Sequence, residues 1–422
     1  MSLKERDKKN IWHPLTQHKL HPEAIPLVKA QGALLYDEDG NEYIDGIASW
    51  YTSMYGHCNE HIVKKVQQQM TVLDQVVFSG FTHEPAVQLS ERLLDILPEN
   101  QSKLFFSDNG STATEVGIKM ALQYHFNKST GKNVLIALEN GFHGDTFGAM
   151  SASGLSVYNG PFEEFFITVE RIPVPDDTNR DEVLQKFKNL IGKGNVAGFI
   201  FEPLVQGAAA MKIYDAEVLE LLMQLCKEYD IVSIADEVMT GFGKTGTLFA
   251  SDQIAVKPDI ICLSKALTAG LLPMAVTSCS QHIYDAFYHD DVSRGFFHGH
   301  TYTANPPACA AALAGIELLL SETITRQRHF IAEMHTQFDH KIRNHAKVLT
   351  TRQLGVIYAL ELNVEMERYG SLRDRLFHFF MKNGVFLRPL GNTIYILPPY
   401  VINEEQLNKV YTVIRKALDE VV

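Results

Sequence analysis

The feature that most constrains the fold is a pair of short apolar runs, each followed by a charged residue. The runs extend from Ile231 to Ala235 and from Ile260 to Leu263, and they lead to Asp236 and Lys265. Short runs that carry β-branched residues are typical of strands buried on both faces of a parallel sheet. The spacing of 29 residues between the two charges (265 minus 236) leaves room for the crossover connection that parallel strands need.

Asp236 and Lys265 are candidate reactive groups, because ligands of open parallel sheets bind beyond the carboxyl ends of the strands. Two interpretations are open at this point. The two side chains form a structural ion pair, which is the commoner role of charged residues at strand ends, or they supply a carbonyl-binding amine and a partner for a cation.

Further strands and helices alternate around this pair. Apolar runs predict short strands at Lys103 to Ser107, at Asn133 to Leu138 and at Val196 to Phe201. The spacing of apolar residues predicts a helix from Ala216 to Tyr229. We therefore expect an α/β fold with a sheet that has helices on both of its faces.

At 422 residues the chain exceeds a typical single domain. We expect a large domain in residues 56–320 and a smaller α+β domain built from both termini, residues 1–55 and 321–422. In the first of the terminal segments, Asp39-Gly40 lies between alternating apolar runs and predicts a β-hairpin.

Composition excludes several classes of protein. A net charge of -12 without a long basic run argues against nucleic acid as a partner. No stretch approaches about 18 uninterrupted apolar residues, so we expect no membrane span. The first ten residues are charged and unlike a secretory signal, and five scattered cysteines without a CxxC pair fit a reducing compartment. We expect a cytoplasmic protein.

A turn from Asp108 to Thr112 connects a predicted strand to a predicted helix. It would place Gly110 and Ser111 at the helix N-terminus, where orphan N–H groups and the helix dipole favour a phosphate. An ordinary Ser/Thr N-cap explains the same residues and is the more common case.

Longer motifs favour one set of interpretations. The residues around Lys265, Ser-Lys-Ala-Leu-Thr-Ala-Gly, and those that begin at Asp236, Asp-Glu-Val-Met-Thr-Gly-Phe-Gly, resemble the signature of the class III pyridoxal-phosphate aminotransferases. The resemblance covers nearly the whole chain. It implies fold type I of the pyridoxal-phosphate enzymes, with a large, mostly parallel mixed sheet in the large domain and a smaller α+β domain. It also implies pyridoxal 5′-phosphate as the cofactor. It also implies a homodimer with active sites at the subunit interface, because the family uses the Thr301 position to reach the neighbouring subunit's phosphate.

The resemblance assigns catalytic and cofactor-binding roles. It implies that Lys265 bonds to the cofactor aldehyde and later moves the proton, and that Asp236 pairs with the pyridine nitrogen. It places the phosphate on Gly110 and Ser111. Further cofactor contacts are expected from residues in the loops beyond the strands: Phe142, His143, Glu202 and Val238. Phe142 stands where tyrosine is usual, and we expect it to stack on the ring face opposite Val238.

The resemblance also implies a substrate pocket. Trp50 and Tyr51 are expected in its wall, and Arg388 is expected to bind a substrate carboxylate. Stretches such as Ile11-Trp12-His13-Pro14 and Ser49-Trp50-Tyr51 are most similar to the family members of the biotin pathway. This implies 8-amino-7-oxononanoate as the amino acceptor, 7,8-diaminononanoate as the product, and S-adenosylmethionine or lysine as the donor.

Three positions depart from that pattern and are expected to border the substrate. Leu15 and Phe142 stand where tyrosines are common among the members that use S-adenosylmethionine, and Lys244 stands where arginine is usual. Lys244 is expected at the pocket rim. These departures leave the amino donor open.

Alternatives remain at this stage. An ω-amino acid:pyruvate or diamine aminotransferase, an aminomutase or a racemase would share the fold, and a catalytically inactive binding module is an alternative of another class. Retention of both Asp236 and Lys265 argues against the inactive module. We expect no metal site, because His298 and His300 have no carboxylate or cysteine at ligand spacing.

Overall fold

The computed structural model describes residues 1–20, 24–156, 159–364 and 370–422. Within these residues, strands and helices alternate through most of the chain. The strands are β1 (Leu27–Gln31), β2 (Leu34–Asp37), β3 (Glu42–Asp45), β4 (Gln101–Ser107), β5 (Val134–Leu138), β6 (Val169–Ile172), β7 (Val196–Phe201), β8 (Val205–Gln206), β9 (Lys212–Ile213), β10 (Val232–Asp236), β11 (Ile260–Leu263), β12 (Ala275–Ser280), β13 (Val348–Leu354), β14 (Ile357–Leu362), β15 (Val385–Phe386) and β16 (Thr393–Ile396).

The right-handed helices differ widely in length. They are Leu3–Asn10, Glu60–Met70, Glu84–Ile96, Gly110–Asn127, Phe147–Ala152, Arg180–Ile191, Ala216–Glu228, Gln281–Asp285, Pro306–Leu319, Glu322–Ile342, Ser371–Lys382 and Glu404–Glu420. Short 3₁₀ helices lie at Gly160–Phe165, Ala250–Gln253, Lys265–Thr268 and Val292–Arg294. In the described part of the chain no single helix has the length and apolar composition to cross a membrane, and one pair, Pro306–Leu319 with Glu322–Ile342, meets that test only when taken together across a 67° bend.

The central sheet carries the predicted strands. Its order among the described strands is β4-β12-β11-β10-β7-β5-β6. β12 runs antiparallel to β4 and β11, whereas β11, β10, β7, β5 and β6 pair in parallel. The large, mostly parallel mixed sheet predicted from the sequence is therefore confirmed. Asp236 ends β10 in register with Cys262 of β11.

Helices cover both faces of this sheet. Ile260 of β11 belongs to one apolar cluster, together with residues of the helix Gly110–Asn127. Its neighbour Ile261 belongs to a second cluster, which includes residues of the helix Ala216–Glu228. Successive side chains of a strand point to opposite faces, so β11 is buried on both, as its unbroken apolar run predicts.

In the described part of the chain, β8 and β9 form a two-stranded sheet, and two larger sheets also lie outside the central one. One has the order β1-β2-β3-β15, and in it β15, from the C-terminal part of the chain, pairs in parallel with β3. The other has the order β13-β14-β16. The hairpin predicted at Asp39-Gly40 joins the antiparallel strands β2 and β3 and is confirmed. The domain boundaries at residues 55/56 and 320/321 stay a prediction.

Candidate active site

Asp236 and His143 form a buried pair at the carboxyl edge of the central sheet. Oδ2 of Asp236, the last residue of β10, lies 2.8 Å from Nδ1 of His143. A carboxylate only accepts hydrogen bonds, so Nδ1 carries the hydrogen. Oδ1 accepts the backbone N–H of Val238 at 3.1 Å, and the backbone N–H of His143 donates to Ser153 Oγ at 2.9 Å. Both members of the pair are therefore fixed in orientation.

Lys265 lies two residues beyond β11, at the start of a 3₁₀ helix. The residue keeps some accessible surface, but its amine lies deep enough for burial to lower its pKa, while the carboxylates of Asp236 and Glu202 act in the opposite direction. Nζ lies 5.1 Å from the centre of the Tyr51 ring. The backbone φ is 50°, in the left-handed region. A deep amine with a lowered pKa is suited to act as a nucleophile and a base.

The helix that follows β4 directs its N-terminus toward this edge of the sheet. Its first intrahelical hydrogen bond joins Ala113 N–H to the carbonyl of Asn109 at 3.0 Å. The N–H groups of Gly110 and Ser111 therefore precede the helical hydrogen-bond pattern and suit an anion. A Cβ at Gly110 would lie 2.8 Å from Val238 Cγ1, so a side chain at this position would force the Asp236 loop away.

Glu202 ties the loop after β5 to the sheet. Its carboxylate accepts the backbone N–H of Phe142 at 3.0 Å and that of Gly207 at 2.9 Å. Burial raises the pKa of Glu202 to about 7, and the negative charge of Asp236 adds to this effect, whereas His143 and the two N–H donors oppose it. Glu202 thereby helps to position the loop that carries Phe142 and His143.

The remaining predicted cofactor contacts lie in different environments. Val238 is 9% exposed, whereas Phe142 is 44% exposed. Thr301 lies in an exposed segment, and its carbonyl accepts a hydrogen bond from Nε2 of Gln75 at 3.0 Å. The stacking of Phe142 and Val238 on a ring, and the reach of Thr301 to a neighbouring subunit, stay predictions.

Trp50 and Arg388, which are far apart in the sequence, line one cleft of about 570 Å³. The guanidinium carbon of Arg388 lies 5.0 Å from the centre of the Trp50 ring, a cation–π distance. Ile47 and Phe386 add apolar wall to the same cleft. Tyr51, next to Trp50, is buried against the amine of Lys265. One turn of chain therefore borders both the cleft and the reactive amine.

The expected rim position of Lys244 is wrong. Lys244 is fully buried, and its Nζ donates to the carbonyl of Gly241 at 2.9 Å. Burial lowers the pKa of Lys244 to about 7, and the positive charge of Lys265 adds to this effect. Leu15 is 47% exposed, and the residues on either side of it line the cleft. Substrate contacts of Leu15 and Lys244 stay predictions.

The histidines near Thr301 contact each other. His298 Nε2 lies 3.0 Å from His300 Nε2, and Lys119 Nζ lies 2.9 Å from His298 Nδ1. Within the residues that the structure describes, no group of three or more His, Cys, Asp or Glu side chains is placed to hold a metal ion.

Sequence reasoning missed side chains that support the site. Ser153 accepts the backbone N–H of His143, and Asp45 binds the turn that carries Trp50. Asp45 ends β3, so the same strand-end signal that marked Asp236 would have found it. Ser153 lies between small residues that carry no comparable signal.

The chemistry of these groups fits a phosphorylated pyridine aldehyde. The helix N-terminus at Gly110 and Ser111 suits the phosphate. There is no room for a Cβ at Gly110, and without a side chain the backbone N–H groups of this turn can approach the phosphate closely. The oriented carboxylate of Asp236 suits a protonated ring nitrogen, and the amine of Lys265 suits an aldehyde carbon. The donor set contains an anion site, a cation partner and a nucleophile, which together match pyridoxal 5′-phosphate.

Comparison with known proteins identifies similar chains along the whole length. The sequence is 41% identical to the adenosylmethionine-8-amino-7-oxononanoate aminotransferase of Synechococcus elongatus, over 98% of this chain and 99% of that protein. It is 35% identical to the Helicobacter pylori protein of the same name, over 99% and 98%. The crystal structure of the Methanocaldococcus jannaschii protein of that name is similar with a TM-score of 0.94 and 31% identity, over 99% of each chain.

Two further findings concern the family and its cofactor. A PLP-bound amine transaminase from an uncultivated Pseudomonas species is similar with a TM-score of 0.91 and 27% identity, over 98% of this chain and 99% of that chain. The family described as aminotransferase class-III matches residues 16–418. The cofactor is pyridoxal 5′-phosphate, as the donor set indicates. The chain belongs to the class III aminotransferases.

Proposed function

We propose that this enzyme transfers an amino group to 8-amino-7-oxononanoate and forms 7,8-diaminononanoate in biotin biosynthesis. The observation that carries the proposal is the cleft in which Arg388 lies over Trp50, with apolar wall around it. The acceptor has a long apolar chain that ends in a carboxylate, so it suits an aromatic wall and one cation. The names of the full-length relatives at 33–41% identity agree with this substrate.

The protein's own groups have separable roles in this reaction. When bound, pyridoxal phosphate supplies an electrophilic carbon and an electron sink. Lys265 would hold that carbon, and the lowered pKa of its amine would suit it to accept and return a proton at Nζ. Asp236 would pair with the protonated ring nitrogen, and the hydrogen bond from His143 fixes the carboxylate that would do so.

The names of the relatives, rather than a contact in the structure, support the proposed amino donor. We propose S-adenosylmethionine, which their names contain, with lysine as the alternative. A test of candidate donors shows whether the donor differs in this chain, in which Lys244 is buried and the ring of Phe142 is half-exposed.

The proposed assembly is a homodimer with shared active sites. Large apolar side chains are exposed around Thr301 and in the segment that contacts it: Val77 58%, Phe81 62%, Phe297 75% and Tyr302 62%. Exposed apolar surface of this kind marks interaction sites. A mixture of Lys265→Ala and Thr301→Glu chains tests sharing, because a mixed dimer would contain one site without either substitution. Recovery of activity on mixing supports the shared site, and no recovery contradicts it.

We also propose a cytoplasmic location. All five cysteines are free, and four of them are buried. Free thiols persist in a reducing compartment.

A half-reaction screen tests the proposed function. The cofactor-loaded enzyme is mixed with S-adenosylmethionine, lysine, ω-amino acids or diamines, one at a time, and conversion to the aminated cofactor is followed by absorbance. The aminated enzyme is then mixed with 8-amino-7-oxononanoate or pyruvate. Reaction of 8-amino-7-oxononanoate supports the proposal. Reaction of pyruvate alone would instead favour an ω-amino acid or diamine aminotransferase.

A further inference from the structure

The residues Ala48–Tyr51 form one turn of left-handed helix. Their φ angles are 47°, 47°, 67° and 70° in chain order. Hydrogen bonds from Tyr51 N–H to the carbonyl of Ile47 and from Thr52 N–H to that of Ala48, both 2.9 Å, close the turn. Consecutive residues with side chains rarely adopt this conformation, and they keep it only where surrounding contacts enforce it.

The turn directs two adjacent aromatic side chains to different partners. Trp50 lies against the guanidinium of Arg388 in the cleft, at 5.0 Å. Tyr51 lies 5.1 Å from Nζ of Lys265, and its ring centre is 5.8 Å from that of Tyr395. In a right-handed turn or an extended strand these two side chains would point elsewhere, so the unusual backbone determines both contacts.

A buried carboxylate lies beneath the turn. Asp45, the last residue of β3, is fully buried, and its Oδ1 accepts the backbone N–H of Ile47 at 3.2 Å. Its Oδ2 accepts the hydroxyl of Ser49 at 2.8 Å and lies 2.8 Å from Nε2 of His57. Because the carboxylate only accepts, Nε2 of His57 carries a hydrogen. Asp45 thus binds the start and the middle of the left-handed turn.

Asp45 and His57 are anchored to the surrounding sheet. The backbone of His57 forms reciprocal hydrogen bonds with Gly32 at 3.0 and 2.8 Å. Asp45 pairs with Phe386 of β15, two residues before Arg388. The carboxylate therefore connects the turn that carries Trp50 to the strand that precedes Arg388.

We propose that Asp45, Ser49 and His57 are positioning residues that hold the left-handed turn, and through it set how the enzyme binds the amino acceptor. This inference rests on the proposed function, because it takes Trp50 and Arg388 as the acceptor's contacts. Asp45 and His57 lie outside the cleft and act through Trp50 and Tyr51, whereas Ser49 also lines the cleft. Loss of the Asp45 contacts lets the turn relax toward ordinary backbone angles and moves Trp50 off Arg388.

A matched set of variants tests this proposal. Asp45→Asn and Ser49→Ala each weaken the contacts to the turn. Asp37→Asn is the control, since Asp37 is also a buried carboxylate in the same sheet and accepts from Tyr43 and Asn41, outside the cleft. All are made in a Trp12→Phe background, which leaves Trp50 as the single tryptophan of the chain. Cofactor absorbance and gel filtration verify that each variant folds.

The expected result is a split between the half-reactions. For each half-reaction we compare the ratio of the rate constant to the substrate's dissociation constant. Asp45→Asn and Ser49→Ala should lower this ratio by about tenfold or more for 8-amino-7-oxononanoate, and by less than about threefold for the donor. Acrylamide should quench Trp50 fluorescence more strongly in both variants. His57→Gln, whose amide still donates, should lose less than His57→Ala. Asp37→Asn should change neither property.

Ser49→Gly separates the hydroxyl contact from the backbone conformation. Glycine adopts positive φ freely but lacks the hydroxyl, so this variant should lose less than Ser49→Ala. Normal acceptor kinetics in Ser49→Ala would overturn the proposal, as would equal losses in Asp45→Asn and Asp37→Asn. If the unmodified enzyme does not react with 8-amino-7-oxononanoate, the proposed function fails. The quenching measurements then still decide whether Asp45 positions Trp50.

Discussion

Lys244→Met should stabilise the protein, because it removes a fully buried amine. Burial lowers the pKa of Lys244 from 10.5 to about 7. At about 1.4 kcal/mol per pKa unit, this difference costs the folded state on the order of 5 kcal/mol near neutral pH. Methionine has a similar shape and no charge, but it cannot donate to the carbonyl of Gly241, which offsets about 1 to 3 kcal/mol. We expect a net gain of about 2 to 4 kcal/mol.

The pH dependence of this gain follows from the direction of the shift. The unfolded chain keeps the proton on Lys244 up to about pH 10.5, whereas the folded chain releases it near pH 7. The contribution of Lys244 to the free energy of unfolding is therefore least favourable below pH 7 and becomes more favourable as the pH rises from 7 to 10.5. The advantage of Lys244→Met should therefore be largest at pH 7 or below and disappear toward pH 10.

Thermal unfolding of the two proteins at several pH values checks this reasoning. For a chain of 422 residues, the expected gain raises Tm by about 2 to 5 °C at pH 7. Lys188→Met, which replaces an exposed lysine, is the control and should leave Tm unchanged. A Tm difference that does not depend on pH, or a less stable Lys244→Met, would refute the argument. Loss of donor or acceptor affinity in the variant would place the amine at the substrate, as the sequence pattern predicts.

Three further predictions concern the reaction itself. Borohydride should attach the cofactor to Lys265, and Lys265→Ala should bind cofactor without turnover; peptide mapping that finds the label elsewhere contradicts this. Asp236→Asn should keep the fold and the cofactor but lose about 10³-fold or more in kcat, and near-normal turnover would make the carboxylate structural. Arg388→Ala should raise the acceptor KM by roughly 10- to 100-fold and affect the donor half-reaction much less, whereas equal losses would place Arg388 at a shared site.

The central sheet could be predicted from the sequence because its signals are local. The run Ile260 to Leu263 is apolar without interruption, and it became β11 with the same bounds. Such a run is compatible only with a strand buried on both faces or with a short piece of core helix, and its length decides between them. The antiparallel direction of β12 was not predictable in this way, because the apolar pattern of a buried strand does not encode its direction.

In the candidate site, too, the features with a local sequence signal could be predicted and those that depend on long-range packing could not. Asp236 ends β10 and Lys265 lies just beyond the neighbouring parallel strand β11, so strand-end position was enough to bring them to one edge. The depth of Lys244 depends on how the loop after β10 packs, and a motif does not report depth. The contact between Trp50 and Arg388 joins segments more than 300 residues apart, through the pairing of β3 with β15. Two-residue strands such as β15 leave no periodic signal that would predict such a pairing.

Backbone strain at the site explains why part of it escapes sequence patterns altogether. Positive φ angles in residues other than glycine recur at the site. Trp50 and Lys265 are themselves predicted site residues, and Asn140, Leu204 and Phe242 each lie two residues from one. Leucine, phenylalanine and lysine have no preference for this conformation, and each instance costs on the order of 1 to 3 kcal/mol. Only the surrounding contacts can hold such angles, and at the loop of Phe142 the contact is long-range, because it comes from the carboxylate of Glu202. The fold must therefore be largely formed before these loops adopt their final angles, so stability and active-site geometry are coupled in this enzyme.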